Sequence, residues 1–260
     1  MIEQLFRMPT DKLPSQELYK PTSKRNSYYS FDYLTVHFIS LSSVDDLKVG
    51  SQQYQWLTND LFEASKRITS KHDILEWIIV MIHSPLYSSS DGHTQGNKEI
   101  RQAIEPLLHQ YNVSLLIAGD DHGYERTFPV FEQVADTWTL HSGGIPVFRD
   151  PLKIIHMVVG TAGVGLDGWV EAPSWSAVRF AEHGFLHIRI SDNTCKVKFI
   201  NSENSKVMDE FWVVKTPKFE HVFVPYMFVI LPFALIGFFL YKNNKCSWLT
   251  PSPKKRTYHK

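Results

Sequence analysis

Two short apolar runs, each followed at once by polar residues, constrain the fold of this chain more than any other feature. Residues Trp77 to Ile82 read WIIVMI, without a single polar side chain. A second run, Val113 to Ala118, ends in the letters LLIA. A continuous apolar run such as WIIVMI is typical of a strand that is buried on both faces, as in a parallel sheet covered by helices. The second run is apolar except for Ser114. We therefore predict two neighbouring strands inside one sheet.

The segments between and before these runs have the spacing of helices. Ser51 to Ile68 carries apolar residues at helical intervals behind a serine that can serve as an N-cap, and Asn97 to Tyr111 is a second amphipathic segment. Ser27 to Leu41 is rich in aromatic and β-branched residues and predicts a hairpin. After Arg126 the pattern changes to short strands and turns. Strands alternating with helices predict a layered α/β core.

The charges are balanced over the whole chain but not along it. Lysine plus arginine and aspartate plus glutamate each number 27, so composition gives no indication of nucleic acid as a partner. Every charged residue in the range 242–260 is basic. This range directly follows residues 222–241, an uncharged apolar segment about as long as a helix that crosses a bilayer core of about 30 Å.

The segment 222–241 predicts a single transmembrane helix, and the basic tail after it predicts a cytoplasmic C-terminus. We divide the chain into a domain at 1–205, a juxtamembrane linker at 206–221, the helix, and a tail at 242–260. The domain is then expected to be luminal or extracellular. The first residues lack an apolar signal core. The chain is therefore either a fragment without its leader or tail-anchored with a cytosolic domain, and the charge bias favours the fragment.

Polar residues follow both predicted strands directly. His83 comes after the first strand, and Gly119 with Asp120-Asp121-His122 comes after the second. Ligands of open α/β sheets bind beyond the carboxyl ends of the strands, and histidine and aspartate are ligands for zinc, iron and manganese. The same residues could also be a hydrogen-bonded histidine, an ordinary polar turn and, at Glu125-Arg126, an ion pair. The residues alone leave these alternatives open.

Six segments resemble, in the same order, blocks of the purple acid phosphatases, which are members of the calcineurin-like metallophosphoesterase superfamily. They are FRMP, SYYSFDYLTVHFISLSS, QYQWL, WIIVMIHSPLYSSSDGH, YNVSLLIAGDDHGYERTFPV and VVGTAGVGLDGW…PSWSAVRFAEHGFLHIRI. The resemblance covers residues 5–200. It implies the family's fold, a layered αββα sandwich, and the family's activity, metal-dependent hydrolysis of phosphomonoesters.

The resemblance also implies a binuclear metal centre, a ferric iron with a divalent zinc, manganese or iron. Two such ions bind the phosphate ester, lower the pKa of a bound water and stabilise charge on the attacking and leaving oxygens. Carried over by position, His83 would bind the divalent metal and His122 the iron. His93 would contact the phosphate or protonate the leaving group, while residues 124–126 would be supporting structure.

The chain departs from the family pattern in two ways. Asp120 stands where the family has a histidine that binds the divalent metal. The family's other ligand blocks, Gly-Asp-x-Gly, Gly-Asp-x-x-Tyr and Gly-Asn-His-Glu, come before FRMP and are absent here. We therefore expect an N-terminally truncated phosphatase, inactive by itself. The alternatives are a non-catalytic, membrane-anchored phosphatase-like protein, or an enzyme in which Asp121 or a nearby residue substitutes as a ligand.

Overall fold

The computed structural model describes residues 27–70, 73–191 and 193–217. Within these ranges the chain forms two helices and fourteen strands. The helices are α1 (Gln52–Thr69) and α2 (Lys98–Gln110). The strands are β1 (Tyr29–Tyr33), β2 (Val36–Ser40), β3 (Trp77–Ile82), β4 (Leu115–Ala118), β5 (Tyr124–Thr127), β6 (Val130–Phe131), β7 (Val134–Ala135), β8 (Leu140–Ser142), β9 (Ile145–Arg149), β10 (Ile155–Val159), β11 (Ser176–Phe180), β12 (Gly184–Ser191), β13 (Thr194–Asn201) and β14 (Val207–Val214).

A seven-stranded sheet in the order β1-β2-β3-β4-β10-β5-β11 forms the centre of the fold. Strands β2, β3, β4 and β10 run parallel to one another, and β1, β5 and β11 pair antiparallel with their neighbours. The predicted hairpin at 27–41 and the two predicted buried strands are confirmed. Because four strands run the same way, the loops after β2, β3, β4 and β10 all leave the sheet at one edge.

Both helices cover one face of this sheet. Ser51 caps α1 by accepting a hydrogen bond from the backbone N–H of Tyr54, and Asn97 caps α2 in the same way through Ile100. These short polar side chains satisfy N–H groups that have no partner inside the helix. The helix residues Leu57, Leu61, Ile104 and Leu108 are buried against the sheet. The predicted serine cap of α1 is therefore confirmed, and α2 begins directly after Asn97.

A second, five-stranded sheet in the order β12-β13-β14-β9-β8 packs on the other face. Trp77 and Met157 of the first sheet share an apolar core with Val197 and Phe211 of the second. The described residues therefore form a helix layer and two sheet layers. Three of the four layers of the expected αββα sandwich are present in this part of the chain, and a second helical layer is not among the described residues.

The second sheet continues past the predicted end of the domain. Strand β14 pairs with β13 and β9, so residues 207–214 belong to the sheet and not to a linker beginning at 206. The predicted membrane segment 222–241 and the tail at 242–260 lie outside the described residues. Neither helix in the described ranges combines the length and the apolar character needed to cross a bilayer.

Candidate active site

The loops that follow β3, β4 and β10 meet at the carboxyl edge of the seven-stranded sheet. The register aligns Ile82 of β3 with Ala118 of β4, and Ala118 with Val158 of β10. The backbone N–H of Gly119 then donates a 3.0 Å hydrogen bond to the carbonyl of His83. The ladder therefore continues one residue beyond the strands and fixes where the polar loops begin.

His83 and Asp120 lie side by side at this edge. Nε2 of His83 is 3.4 Å from Oδ1 of Asp120, and Ser84 donates a 3.1 Å hydrogen bond to the other carboxylate oxygen. The His83 side chain is 68% exposed and that of Asp120 28%. Asp120 has a φ of 68°, in the left-handed region that aspartate tolerates better than most residues. This turn directs its carboxylate toward His83.

His93 borders the same surface from the long loop after β3. Together with Asp120 it lines a cleft of about 340 Å³, whose other lining residues are Ser84, Pro85, Gly96, Asn97 and Lys98. Its Nδ1 lies 2.5 Å from Oδ1 of Asp121, a carboxylate that is 1% exposed. The hydrogen bond with Asp121 raises the pKa of His93 above its ordinary value. Two of the predicted residues, His93 and Asp120, therefore line one cleft, and His83 lies beside Asp120.

His122 is engaged elsewhere, with Asp167 of the loop after β10. Its backbone N–H donates a 2.6 Å hydrogen bond to Oδ2 of Asp167, and its ring Nδ1 lies 3.7 Å from Oδ1. The backbone N–H of Asp167 donates in turn to the carbonyl of His122. This reciprocal contact joins the loops after β4 and β10 and sets the position of His122.

The described residues supply only part of the metal centre that the resemblance implies. His83 Nε2 and Asp120 Oδ1, 3.4 Å apart, are close enough to contact one ion at the usual bond lengths of about 2.0–2.2 Å. A catalytic zinc-type site uses about three protein ligands for each ion. Over the described ranges, however, no group of three or more His, Cys, Asp or Glu side chains is placed to hold an ion. These residues alone do not fit a binuclear centre.

The residues just after this edge have a different environment. Tyr124 and Arg126 both donate hydrogen bonds to the buried carboxylate of Asp209 on β14, at 2.7 Å from the phenol and 2.6 Å from Nε. Glu125 accepts hydrogen bonds from the backbone N–H and hydroxyl of Ser89 and from the hydroxyl of Ser176. Each of the three side chains thus fastens β5 to another element.

The suggested ion pair between Glu125 and Arg126 is wrong. Successive side chains of a strand point to opposite faces. Arg126 therefore points toward β14 of the second sheet, whereas Glu125 points toward the loop after β3. The supporting role that the resemblance implies for residues 124–126 is consistent with these contacts.

Sequence reasoning missed two carboxylates in this region. Asp167 lies in the GLDGW turn, after a third parallel strand end, which is the signal that could have drawn attention to it. Asp209 stands in β14, within a stretch that was assigned to the linker. Its role depends on a partner 83 residues earlier in the chain, and no local pattern indicates such a pairing.

Comparison with known proteins gives consistent results. Residues 153–210 match the family model described as iron/zinc purple acid phosphatase-like protein C. The chain is 31% identical over 198 residues to purple acid phosphatase 22 of Arabidopsis thaliana, covering 74% of this chain and 41% of that protein. It is 30% identical over 216 residues to acid phosphatase type 7 of Mus musculus, covering 75% and 48%. The chain thus spans less than half the length of these relatives.

A solved structure shares the fold. The purple acid phosphatase PPD1 from seeds of yellow lupin (Lupinus luteus) superposes with a TM-score of 0.67 at 23% identity, over 76% of this chain and 34% of that one. The ordered motifs, the metallophosphoesterase-like layers and these relatives together support the assignment of this chain to the purple acid phosphatase family of metallophosphoesterases.

Proposed function

We propose that this chain is part of a metal-dependent phosphatase that hydrolyses phosphomonoesters. The observation that carries the proposal is the cleft at the carboxyl edge of the sheet, which His93 and Asp120 line, with His83 next to Asp120. The names of the relatives, acid phosphatases and purple acid phosphatases, support the same reaction class.

In this proposal His83 and Asp120 are ligand candidates on one side of the cleft, and His122 is a candidate for a second ion. The aspartate at position 120 is shorter than a histidine and carries a charge, so the metal preference is expected to differ from that of relatives with histidine there. A site with two metals needs more ligands than the described residues bring together. Metal analysis of the purified protein would identify the ions.

In this proposal His93 is the general acid. In hydrolysis a water oxygen forms a new bond to phosphorus while the ester's phosphorus–oxygen bond breaks. The departing oxygen then gains negative charge and needs a proton. An imidazolium at the border of the cleft can supply that proton, and general acid catalysis of this kind contributes about 10²–10⁴-fold. Protonation of the leaving oxygen by His93 yields an alcohol and leaves a neutral imidazole.

Metal content and hydrolysis of the purified full chain test the proposal together. After incubation with ferric iron and zinc or manganese, the chain should retain metal through gel filtration, and His83→Ala and Asp120→Ala should lower the amount retained. In a preparation that hydrolyses phosphomonoesters, His93→Gln should reduce hydrolysis of an alkyl phosphate by about 10²-fold or more without changing metal content. Hydrolysis of p-nitrophenyl phosphate should fall less, because its phenolate can leave without a proton. His141→Ala, at an exposed position on β8, is the matched control.

A non-catalytic phosphatase-like protein is the second candidate. It is favoured by Asp120 at the position of a family histidine and by the small number of ligand candidates that the described residues bring together. Metal retention no greater than that of the His83→Ala variant, together with hydrolysis at the level of His93→Gln, would establish that this chain by itself is non-catalytic.

We further propose that residues 222–241 anchor the protein in a membrane with the basic tail on the cytoplasmic side. The support is the uncharged sequence and the lysines and arginine that follow it. A membrane-impermeant maleimide should label Cys246 in opened vesicles or from the cytoplasmic face only. Cys195 is buried in the second sheet, and Cys195→Ser removes its residual signal. Labelling of Cys246 from the opposite face would reverse the topology.

A further inference from the structure

Asp121 forms a pair with His93 that is unlike the other contacts around the cleft. The carboxylate is 1% exposed, the imidazole is 56% exposed, and 2.5 Å separates Oδ1 from Nδ1. Because Asp121 holds the ring at Nδ1, the opposite nitrogen, Nε2, is the one left for the cleft. The contact therefore selects which nitrogen of His93 faces a ligand.

The backbone at Asp121 is fixed independently of His93. Its N–H donates a 2.9 Å hydrogen bond to the carbonyl of Gly119, and its carbonyl accepts one of 3.0 Å from Gly123. Gly160, directly after β10, approaches so closely that a Cβ there would lie 2.1 Å from the Asp121 carbonyl oxygen. Only glycine permits this approach, so the end of β10 packs directly against the residue that holds His93.

The loop that carries His93 is also held at several points. The backbone N–H of Gly96 donates to the carbonyl of His93 at 2.9 Å, and Gln95 donates to Ser88. Arg101 of α2 donates a 2.6 Å hydrogen bond to the carbonyl of Gln95. Gly96 has a φ of 65°, and a Cβ there would meet the backbone of Leu86 at 2.8 Å. Both members of the pair thus stand on constrained backbone.

The remaining oxygen of Asp121 indicates that packing is not the reason for a carboxylate here. Oδ2 is buried and has no hydrogen-bond partner in the part of the chain that the structure describes. Leaving a buried polar atom unpaired costs free energy, and an apolar side chain of similar volume would avoid that cost. A carboxylate at this position is explained by its interaction with the imidazole.

We propose that Asp121 is a positioning residue for His93: it holds Nδ1–H and presents Nε2 to the cleft. When His93 protonates a departing oxygen, the proton leaves from Nε2, and the neutral ring keeps its remaining hydrogen on Nδ1, facing Asp121. Asp121 keeps its contact with Nδ1 throughout and touches no substrate. The statement about the departing oxygen rests on the proposed function, whereas the choice of tautomer does not.

Nitrogen-15 NMR of the histidine rings in the full chain tests the tautomer directly, at a pH where His93 is neutral. The His93 signals are identified by their loss in His93→Gln. In the wild type we expect the hydrogen on Nδ1. In Asp121→Ala we expect it on Nε2, the form that a free imidazole side chain favours. Asp91→Asn, on the same loop but hydrogen-bonded to Gly168, should leave the His93 signals unchanged.

A neutral His93 with its hydrogen on Nε2 in the wild type would overturn the proposal, and this measurement needs no variant of Asp121. An unchanged Nδ1–H tautomer in Asp121→Ala would overturn it as well. In an active preparation, Asp121→Ala should lower kcat by about 10- to 100-fold with little change in KM. If the wild type shows the expected tautomer but hydrolyses no ester, the pairing stands and the proposed function fails.

Discussion

The segment GDDHG and the segment YERT are adjacent in the chain, yet their polar side chains are used in different ways. Asp120 and His122 are partly exposed, at 28% and 37%, and their side chains lie 3.4 Å from His83 and 3.7 Å from Asp167. Tyr124, Glu125 and Arg126 are at most 2% exposed and hydrogen-bonded at short distance to other elements. Exposure and saturation of hydrogen bonds separate side chains that can receive a ligand from those that hold the fold.

Asp121 lies between the two groups and has features of both. Like the YERT residues it is buried, but one of its oxygens has no partner among the described residues, and the other holds an exposed histidine. Burial alone therefore does not distinguish structural from functional residues. The number of unsatisfied polar atoms and the exposure of the partner must be considered with it.

The largest expected effect comes from breaking the buried ion pair of the YERT segment. Arg126→Ala leaves the Asp209 carboxylate buried without its counter-charge. This should lower the free energy of unfolding by about 3–5 kcal/mol. Urea denaturation of the full chain measures the change, with His141→Ala as the surface control. A loss below about 1 kcal/mol would place Arg126 with the exposed residues and contradict the contrast between the segments.

Glu125→Gln tests the second anchor of the same strand. The backbone N–H of Ser89 donates to one carboxylate oxygen, and the hydroxyls of Ser89 and Ser176 donate to the other. The amide replaces one of these oxygens with an NH₂ group, which cannot accept, so at least one of these donors loses its acceptor. We expect a loss of roughly 2–3 kcal/mol in urea denaturation. Because Ser89 belongs to the loop that carries His93, exchange of its amide hydrogen should also quicken. If the loop in the variant exchanges its amide hydrogens at the wild-type rate, Glu125 does not anchor that loop.

A buried histidine in the neighbouring strand β10 predicts that the stability of the fold depends on pH. His156 of β10 is 2% exposed, and burial, with a smaller effect from Arg101, lowers its pKa to about 3. The unfolded chain binds a proton below its ordinary pKa of 6.5 while the folded one does not, so stability falls as pH drops through this window. At pH 5 this group should lower the free energy of unfolding by about 2 kcal/mol.

His156→Gln retains a polar side chain but does not titrate. Urea denaturation at pH 7.5 and pH 5 should therefore show a smaller difference in the variant than in the wild type, by about 2 kcal/mol. Equal differences in the two proteins would show that His156 is protonated in the folded state.

The smallest effect on stability is expected for a substitution at a metal-ligand candidate. His83→Ala removes a side chain that is 68% exposed and 3.4 Å from its nearest charged neighbour. Its effect on the free energy of unfolding should stay below about 1 kcal/mol, because exposed pairs contribute little. The same urea series measures it. A loss as large as that of Arg126→Ala would give His83 a structural role and weaken its candidacy as a ligand.

The local elements could be predicted because their signals are local. The continuous run WIIVMI, the serine before α1 and the amphipathic spacing of α2 each act within a few residues, and the structure has the corresponding strand and helices. His83 and Asp120 were expected together because parallel strands end at the same edge, and the register of β3 and β4 places them there. The cleft was predictable for the same reason.

The partners of the polar residues were not predictable in this way. The supposed Glu125–Arg126 pair failed because strand geometry sends neighbouring side chains to opposite faces, and the true partner of Arg126 lies in the other sheet. His93 and Asp121 are 28 residues apart, and His122 and Asp167 are 45 apart. Such pairs depend on which strands neighbour one another and on where the loops cross.

The sequence by itself thus determined the strands, the helices and the sheet edge at which polar residues gather. The reason is that the spacing of apolar residues and the capping of helices act over a single turn or strand. Only the tertiary structure decided which carboxylate holds which side chain. The physical reason is that a buried or half-buried charge takes its partner from whatever the packed layers bring within about 3 Å. In this chain those layers bring Asp121 to His93 and Asp209 to Arg126.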